Sequence, residues 1–208
     1  MTTQFYSYQP TKGHGLPHDP IPSLIGPRPI GWISTCDSQG RTNLAPYSFF
    51  NIFNYSPPIL AFSSVGKKDS VTNAIETGEF VYNLATLALG EQVNMSSATL
   101  ARGESEFALT QLSTLPSTLV SPPRIAQTPV SMECIVTQYQ QLKRADGQLL
   151  DTWMVMGEVV MVHIDDDESA LQDGLYDCAG QKPLLRAGGP ADYYWIEQQQ
   201  NLKMYRPK

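Results

Sequence analysis

Residues 28–35 and 43–51 have the composition of two strands, and the turn-forming residues Asp37-Ser38-Gln39-Gly40 lie between them. Both segments place β-branched or aromatic residues beside small polar ones. β-branched and aromatic residues favour strands, whereas Asp, Ser and Gly favour a tight reversal of the chain. The two segments therefore predict a β-hairpin.

The end of the second strand is unusually polar. Asn43, Tyr47, Ser48 and Asn51 stand beside or among Phe residues, and a packed core gains nothing from their polar groups. A flat aromatic ligand with polar edges could bind to all of them. The hairpin therefore indicates a ligand-binding site as well as a fold.

Further strands are predicted by short apolar runs, and the Asp-Gly pair at 146–147 predicts the turn of a long hairpin. A helix is predicted over residues 69–77, with Asp69 as N-cap and Gly78 at its end, and another over 88–101. Short strands with few helices between them favour an antiparallel β-barrel with accessory helices over a doubly wound parallel sheet. The predicted strands are residues 30–36, 42–48, 59–64, 80–84, 130–142 and 153–163.

Composition narrows the functional classes. The 208 residues suit one domain, and a net charge of -6 with no Lys/Arg run longer than two argues against a nucleic-acid partner. The three cysteines are far apart in the chain, which favours a reducing compartment over a disulfide framework. The sequence shows neither a secretory signal nor an apolar run of the ~20 residues that a membrane helix needs. We therefore expect a cytoplasmic protein that does not enter a membrane.

A second candidate site lies at residues 63–70, where a predicted strand ends and a predicted helix begins. Ser63, Lys68 and Ser70 surround this junction. Backbone N–H groups at a helix start, together with hydroxyls and a lysine, can bind an anion such as a phosphate. An ordinary strand–loop–helix connection would have the same pattern, so this segment alone leaves both interpretations open. The spacing of a Walker loop is absent.

Taken together, these segments resemble the flavin reductase-like family with its FMN-binding split β-barrel. The matching segments run in order along the chain: residues 28–35, 43–51, 68–73, 78–84, 123–134, 157–164 and 186–193. The resemblance implies a mainly β fold, an antiparallel six-stranded split barrel of Greek-key type. It also implies a homodimer with flavin sites near the interface and FMN as the cofactor, with FAD as the alternative flavin. We expect an N-terminal arm over residues 1–27, the barrel domain over 28–195 and a C-terminal tail over 196–208.

The resemblance also assigns cofactor-binding residues, position by position. Ser34 and Thr35 would lie beside the flavin. Residues 45–48, at the end of the second strand, would frame its ring, and Asn51 would reach the ribityl chain. Three residues of the helix-start segment would hold the phosphate, and Arg186 would add charge there. In full, the expected cofactor-binding residues are Ser34, Thr35, Ala45, Pro46, Tyr47, Ser48, Asn51, Ser63, Lys68, Ser70 and Arg186. Hydride transfer is the chemistry of the cofactor, so no catalytic side chain is assigned.

The resulting hypothesis is an FMN-binding oxidoreductase that passes reducing equivalents from NAD(P)H to flavin or to a small-molecule acceptor. The alternative is an FMN-binding electron-transfer or ligand-binding protein without NAD(P)H turnover. We expect no metal site. The acidic run at 165–168 lacks the alternating spacing of a calcium loop, and Gly15 and Pro17 disfavour a helix that would align His14 with His18. His163, at the end of a strand, is interpreted as a half-buried structural histidine.

Overall fold

One large antiparallel sheet organises the chain in the computed structural model, which describes residues 4–101, 103–165, 171–172 and 174–207. The strands of these residues are β1 (Arg28–Pro29), β2 (Gly31–Cys36), β3 (Thr42–Tyr47), β4 (Phe50–Tyr55), β5 (Pro58–Val65), β6 (Glu79–Leu84), β7 (Thr114–Leu115), β8 (Arg124–Ile125), β9 (Val130–Lys143), β10 (Leu149–Ile164), β11 (Leu171–Gln172), β12 (Leu175–Tyr176), β13 (Leu184–Arg186) and β14 (Tyr193–Trp195). The α-helices are α1 (Ile21–Leu24), α2 (Asp69–Thr77), α3 (Gly90–Met95) and α4 (Glu106–Thr110). Short 3-10 helices span Pro10–Lys12, Leu87–Leu89 and Gln198–Gln200. Within the described residues, no helix has both the length and the apolar character needed to span a bilayer.

The predicted mainly β, antiparallel fold is confirmed. The main sheet has the strand order β3-β2-β6-β9-β10-β5-β4, and β1, β13 and β14 form a smaller sheet. Both predicted hairpins are present. In the long one, β9–β10, the turn closes through the N–H of Gly147, which donates to the carbonyl of Arg144 at 2.9 Å, and Gly147 takes a φ of 89°. A positive φ suits glycine, which explains why the Asp-Gly pair located this turn.

The expected count of six strands is wrong by one, because the main sheet has seven. The additional strand is β4, which pairs with β5 from Phe50 opposite Phe62 to Tyr55 opposite Pro58. Most β4 side chains are exposed, so the alternation of apolar and polar residues that marks a half-buried strand is absent. In the sequence, β4 therefore resembles an irregular continuation of β3.

The sheet curls around an inner core. Apolar side chains from β2, β5, β6, β9 and β10 meet in one buried cluster, and Val71 and Ala74 of α2 join them. Five strands of a single sheet can share one core only if the sheet bends round on itself. The edge strands β3 and β4 are joined by two residues and mark where this barrel is split.

A second core lies on the outer face of β2 and β3. Trp32 and Leu44 are fully buried there against residues of α3, α4 and β8. The indole Nε1–H of Trp32 donates to the hydroxyl of Ser96 at 2.9 Å, which fastens the segment after α3 to the sheet. The helices are thus packed on the outside of the barrel.

Polar side chains on the same outer face bind the loop that runs from residue 116 to residue 125. We call Ser34, Asn83, Ser131 and Glu133 the outer-face ladder; all four are buried. Ser34 donates to the carbonyl of Pro123 at 2.6 Å, and Asn83 accepts from the N–H of Ile125 at 3.0 Å. Ser131 in turn donates to Asn83 at 3.0 Å. The loop is therefore held by side chains of the sheet rather than by a strand pairing along its length.

The helix predictions need three corrections. Residues 69–77 are helical and Gly78 ends the helix at a φ of 76°, but the N-cap is Lys68, and Asp69 is the first helical residue. The second predicted helix ends at Met95, because the Ser96 hydroxyl donates back to the carbonyl of Val93 within a turn. Helices α1 and α4 were not predicted. Most of the acidic run at 165–168 lies outside the described residues.

Candidate functional site

Two cavities flank the short connection between β3 and β4. The first, which we call the helix-end cavity, has a volume of about 420 Å³ and lies between the end of β3, the start of α2 and residues 96–100. The second, the aromatic cavity, has a volume of about 530 Å³ and is lined by Phe49, Phe50 and Phe53. Both volumes fall within the range of small-molecule and cofactor sites, roughly 300–1,000 Å³. Tyr47, the last residue of β3, lines the first cavity, and the next residue, Ser48, lines the second. The two cavities therefore lie on either side of this point of the chain.

The free edge of β3 forms one wall of the helix-end cavity. Within the main sheet β3 pairs with β2 alone, so every second residue directs its backbone N–H and C=O away from the sheet. Ala45, Pro46 and Tyr47 line the cavity along this edge. Pro46 has no N–H, and its presence is compatible with an edge strand but not with a central one. The cavity thus has a straight wall with backbone hydrogen-bonding groups.

The start of α2 forms the opposite wall. Lys68, Asp69 and Ser70 line the cavity there, and no side chain caps the helix start. The first N–H groups of a helix have no partner within it, and the helix dipole places partial positive charge at the same point. The exposed Lys68 side chain adds a full positive charge. This end of the cavity therefore suits an anionic group.

Behind this wall lies a buried polar cluster centred on Asn43. Its amide nitrogen donates to the carboxylate of Glu106 at 2.9 Å, and its amide oxygen accepts from Ser70 at 2.6 Å and from Thr35 at 3.3 Å. Glu106 also accepts from the N–H of Leu44 at 2.9 Å. Because the Glu106 oxygen that accepts the N–H of Leu44 also accepts from the Asn43 amide nitrogen, the amide oxygen of Asn43 faces Ser70.

Tyr47 joins the two cavities to the inner core. Its ring lies 4.9 Å from that of Phe62, and its hydroxyl is hydrogen-bonded to Ser70 and Ser64. Burial raises the pKa of Tyr47 above its ordinary value, although these two hydrogen bonds oppose the shift. The phenol is therefore neutral at physiological pH and presents a polar tip without a charge.

Eight of the eleven residues expected at a cofactor site line one or other of these two cavities. The helix-end cavity is lined by Ala45, Pro46, Tyr47, Lys68 and Ser70, and the aromatic cavity is lined by Ser48, Asn51 and Ser63.

The other three expected residues line neither cavity. Thr35 belongs to the buried Asn43 cluster, and Ser34 belongs to the outer-face ladder. Arg186 lies in the smaller sheet, where its guanidinium donates to the carbonyls of Asp192 and Pro190 at 2.7 and 2.9 Å. Its guanidinium carbon also lies 4.9 Å from the centre of the Tyr193 ring.

Sequence reasoning missed two parts of the helix-end cavity. Glu106 comes from α4 and residues 96–100 from the segment after α3, and both reach the cavity through the fold rather than through a local pattern. Asn43 carried a visible signal, because an amide at the start of a strand in the polar hairpin stands out. Glu106 carried a weaker signal, since an acidic residue directly after a serine is typical of the first turn of a helix.

Comparison with known proteins places this architecture among flavin reductase-like proteins. The model of the family described as the flavin reductase like domain matches residues 26–185. The uncharacterized protein YwrF of Bacillus subtilis is 34% identical over 173 residues, which cover 81% of this chain and 84% of that protein. An uncharacterized protein of Aquifex aeolicus is 32% identical over 172 residues, covering 80% and 83% of the two chains.

Solved structures show the same likeness. Nitrilotriacetate monooxygenase component B from Bacillus cereus superposes with a TM-score of 0.84 at 28% identity, covering 97% of this chain and all of that one. A protein from Shewanella frigidimarina, described as a flavin reductase with a split barrel domain, has a TM-score of 0.78 at 27% identity and covers 89% and 90% of the two chains. The 2-nitrobenzoate 2-nitroreductase of Pseudomonas fluorescens has a TM-score of 0.73 at 27% identity, with 90% and 88% covered.

Proposed function

This chain belongs to the flavin reductase-like domain family, and on that basis we propose that it is an FMN-binding flavoprotein oxidoreductase. In this proposal it passes reducing equivalents from NAD(P)H to flavin or to a downstream acceptor. The observation that carries it is the helix-end cavity, where the uncapped start of α2 and Lys68 face the free edge of β3. One wall suits a phosphate and the other suits the polar edge of a ring.

The proposed phosphate end rests on charge and on free N–H groups. A phosphate monoester carries up to two negative charges, which the start of a helix and a lysine both stabilise. Charge-assisted hydrogen bonds of this kind are stronger than neutral ones. FMN ends in such a monoester, whereas the phosphates of FAD are internal, so the geometry favours FMN over FAD.

The proposed ring end rests on the β3 edge and on Tyr47. On the free edge of β3, the backbone carbonyl of Pro46 would bond the polar edge of the isoalloxazine, and Ser48 would do so from the aromatic cavity. The flavin, when bound, supplies the hydride chemistry. The neutral phenol of Tyr47 avoids a charge beside the ring, and the edge-strand backbone orients it. No titratable side chain of the cavity needs to move a proton for this step.

We further propose that the protein acts as a cytoplasmic homodimer with the flavin near the interface. The aromatic cavity opens beside β4, whose side chains are largely exposed, with Phe53 59% and Tyr55 86% accessible. Apolar exposure on this scale, next to a ligand cavity, favours a protein partner. A second copy would cover the aromatic cavity and exclude water from the ring.

FMN binding to the Lys68→Ala variant tests the proposed site. Loss of a charge-assisted phosphate contact should weaken binding by about 1–2 kcal/mol, roughly tenfold or somewhat more. The matched control is Lys67→Ala, which removes an adjacent lysine whose ammonium lies 5.4 Å from the centre of the Trp153 ring. Fluorescence quenching of FMN on titration with protein gives both affinities. Equal loss in the two variants would contradict a specific role for Lys68, and no FMN binding by the wild type would refute the proposed function.

The electron donor is tested by anaerobic mixing of the FMN-loaded protein with NADH or NADPH. Loss of the absorbance of oxidised flavin with either nucleotide supports the reductase. If dithionite bleaches the flavin and neither nucleotide does, the protein is an electron-transfer flavoprotein without NAD(P)H turnover.

A further inference from the structure

A further cavity lies away from the proposed flavin site. It has a volume of about 780 Å³ and opens between the start of β9, the end of β10 and the loops near residues 126 and 181. We call it the strand-end cavity. It shares no lining residue with the helix-end cavity or the aromatic cavity. A flavin in those two cavities therefore leaves the strand-end cavity unexplained.

His163 lines this cavity and is held in place from behind. Its Nε2 lies 2.6 Å from a carboxylate oxygen of Glu133, which is completely buried. The same carboxylate accepts the N–H groups of Thr118 and Leu119, each at 2.6 Å. The two backbone N–H groups hold the Glu133 carboxylate in place, and the carboxylate in turn fixes the orientation of the imidazole ring. The contact between Glu133 and His163 does not involve Nδ1.

Glu133 is an anion at neutral pH. Burial raises the pKa of its carboxyl, but the hydrogen bonds from Thr118, His163 and Leu119 outweigh burial and hold the pKa below its ordinary value. An anionic Glu133 accepts a hydrogen bond, so Nε2 of His163 carries a proton. The ring is therefore held through Nε2, and its Nδ1 side can contact a molecule in the cavity.

The charge of the cavity differs from that of the whole chain. Its described lining contains two basic side chains, Arg124 and Lys182, and one acidic side chain, Asp165, whereas the whole chain has a net charge of -6. The neutral polar side chains of Thr128 and Gln181 also line it. A local excess of basic groups in an acidic protein indicates selection for an anion.

We propose that the strand-end cavity is a second binding site, for a small organic anion whose carboxylate or phosphate group bonds to Arg124 and Lys182 beside the His163 ring. Arg124 and Lys182 supply the opposing positive charges. Both are anchored through the backbone of their loops: the carbonyl of Lys182 accepts the N–H of Leu87 at 2.9 Å, and the Arg124 side chain donates to the carbonyl of Pro116 at 3.3 Å. The proposal does not depend on flavin binding, because the cavities are separate.

The test is a titration of the full-length protein, with and without saturating FMN, using sodium phosphate and sodium succinate as probes at constant ionic strength. Nuclear magnetic resonance of ¹⁵N-labelled histidine rings reports on His163, whose signals are assigned with His163→Gln. We expect saturable shifts of the His163 ring with at least one probe, and FMN should not change the affinity. The probe that binds distinguishes a carboxylate ligand from a phosphate ligand.

The double variant Arg124→Gln, Lys182→Asn should bind the same probe at least tenfold more weakly. Asn is chosen because Lys182 has a φ of 48°, a conformation that Asn tolerates. The control is Lys143→Asn, which removes an exposed lysine at the end of β9, outside the cavity. The proposal is overturned if neither probe shifts the His163 ring, if the double variant binds like the control, or if FMN abolishes binding.

Discussion

At the scale of single residues, the polar groups of the helix-end cavity depend on Asn43. Glu106 accepts from its amide nitrogen, so its amide oxygen must accept the hydroxyl protons of Ser70 and Thr35. The hydroxyl proton of Ser70 is therefore already donated to Asn43. Ser70 can then offer lone pairs but no proton to a phosphate, and the backbone N–H groups of α2 and Lys68 must supply the donors.

We predict that Glu106→Ala weakens FMN binding about tenfold while changing riboflavin binding much less. Without the carboxylate the Asn43 amide is free to rotate, and the start of α2 loses its fixed neighbour. Glu106→Gln keeps an acceptor oxygen and should bind FMN within about threefold of the wild type. Isothermal titration with FMN and with riboflavin measures both affinities. Equal losses for the two ligands would show that Glu106 acts on the whole cavity rather than on its phosphate end.

Glu133 gives a prediction about pH. Its folded pKa lies below the ordinary value of 4.5, so its contribution to stability is complete above that value and is lost as the pH falls through the folded pKa. Glu133→Gln places an amide donor against backbone donors and should cost about 1–3 kcal/mol at neutral pH. The difference from the wild type should shrink in acid. Urea unfolding at about pH 7 and about pH 3 measures it. A difference that stays constant across this range would contradict the assignment.

At the scale of elements, the glycine of β10 shows how tightly the inner core is packed. A Cβ built on Gly157 would lie 2.4 Å from the ring of Phe80 and 3.1 Å from the Cβ of Cys134, and both residues are fully buried. We predict that Gly157→Ala destabilises the protein by about 1–3 kcal/mol, because the ring cannot move without disturbing its neighbours. Gly90→Ala is the control, since its Cβ would meet Leu184 at an ordinary 3.6 Å. Thermal unfolding of both variants measures the difference, and equal melting temperatures would contradict the prediction.

Strands with a buried face were predictable, and exposed ones were not. The runs that became β2, β5, β6, β9 and β10 carry apolar residues because each contributes to the inner core. Strand β4 contributes exposed side chains, so no local pattern distinguishes it from a loop. The predicted helix over 88–101 ended early because the hydroxyl of Ser96 bonds both Trp32 and the carbonyl of Val93, and this depends on a tertiary contact.

The candidate site was predictable where its residues are neighbours in sequence. Ala45, Pro46 and Tyr47 form one strand end, and Lys68 and Ser70 form one helix start, so each group has a local signature. Ser34 and Thr35 cannot both face one ligand, because successive residues of a strand point to opposite faces of the sheet. Glu106 arrives from a distant helix, and only the packing of α4 brings it to Asn43.

At the scale of the whole molecule, the exposed apolar side chains of β4 lead to a prediction about assembly. We predict that Phe53→Asp shifts the protein from dimer to monomer and weakens FMN binding, because a charge would enter the proposed interface beside the aromatic cavity. Leu119→Asp is the control: its side chain is 54% exposed, close to the 59% of Phe53, but lies on the loop over the outer face. Sedimentation analysis measures the oligomeric state of the wild type and of each variant. A wild-type monomer, or a Phe53→Asp dimer, would contradict the prediction.

The outer-face ladder has a consequence for the way the molecule opens in solution. Thr118, Leu119 and Ile125 lie in or at the end of a connecting segment, yet their amide protons are bonded to Glu133 and Asn83, which are fully buried in the sheet. Those protons can meet solvent deuterium only when the loop separates from the strands beneath it. Their exchange should therefore be as slow as that of β6 and β9, so this loop and these strands form one cooperative unit of the protein's opening.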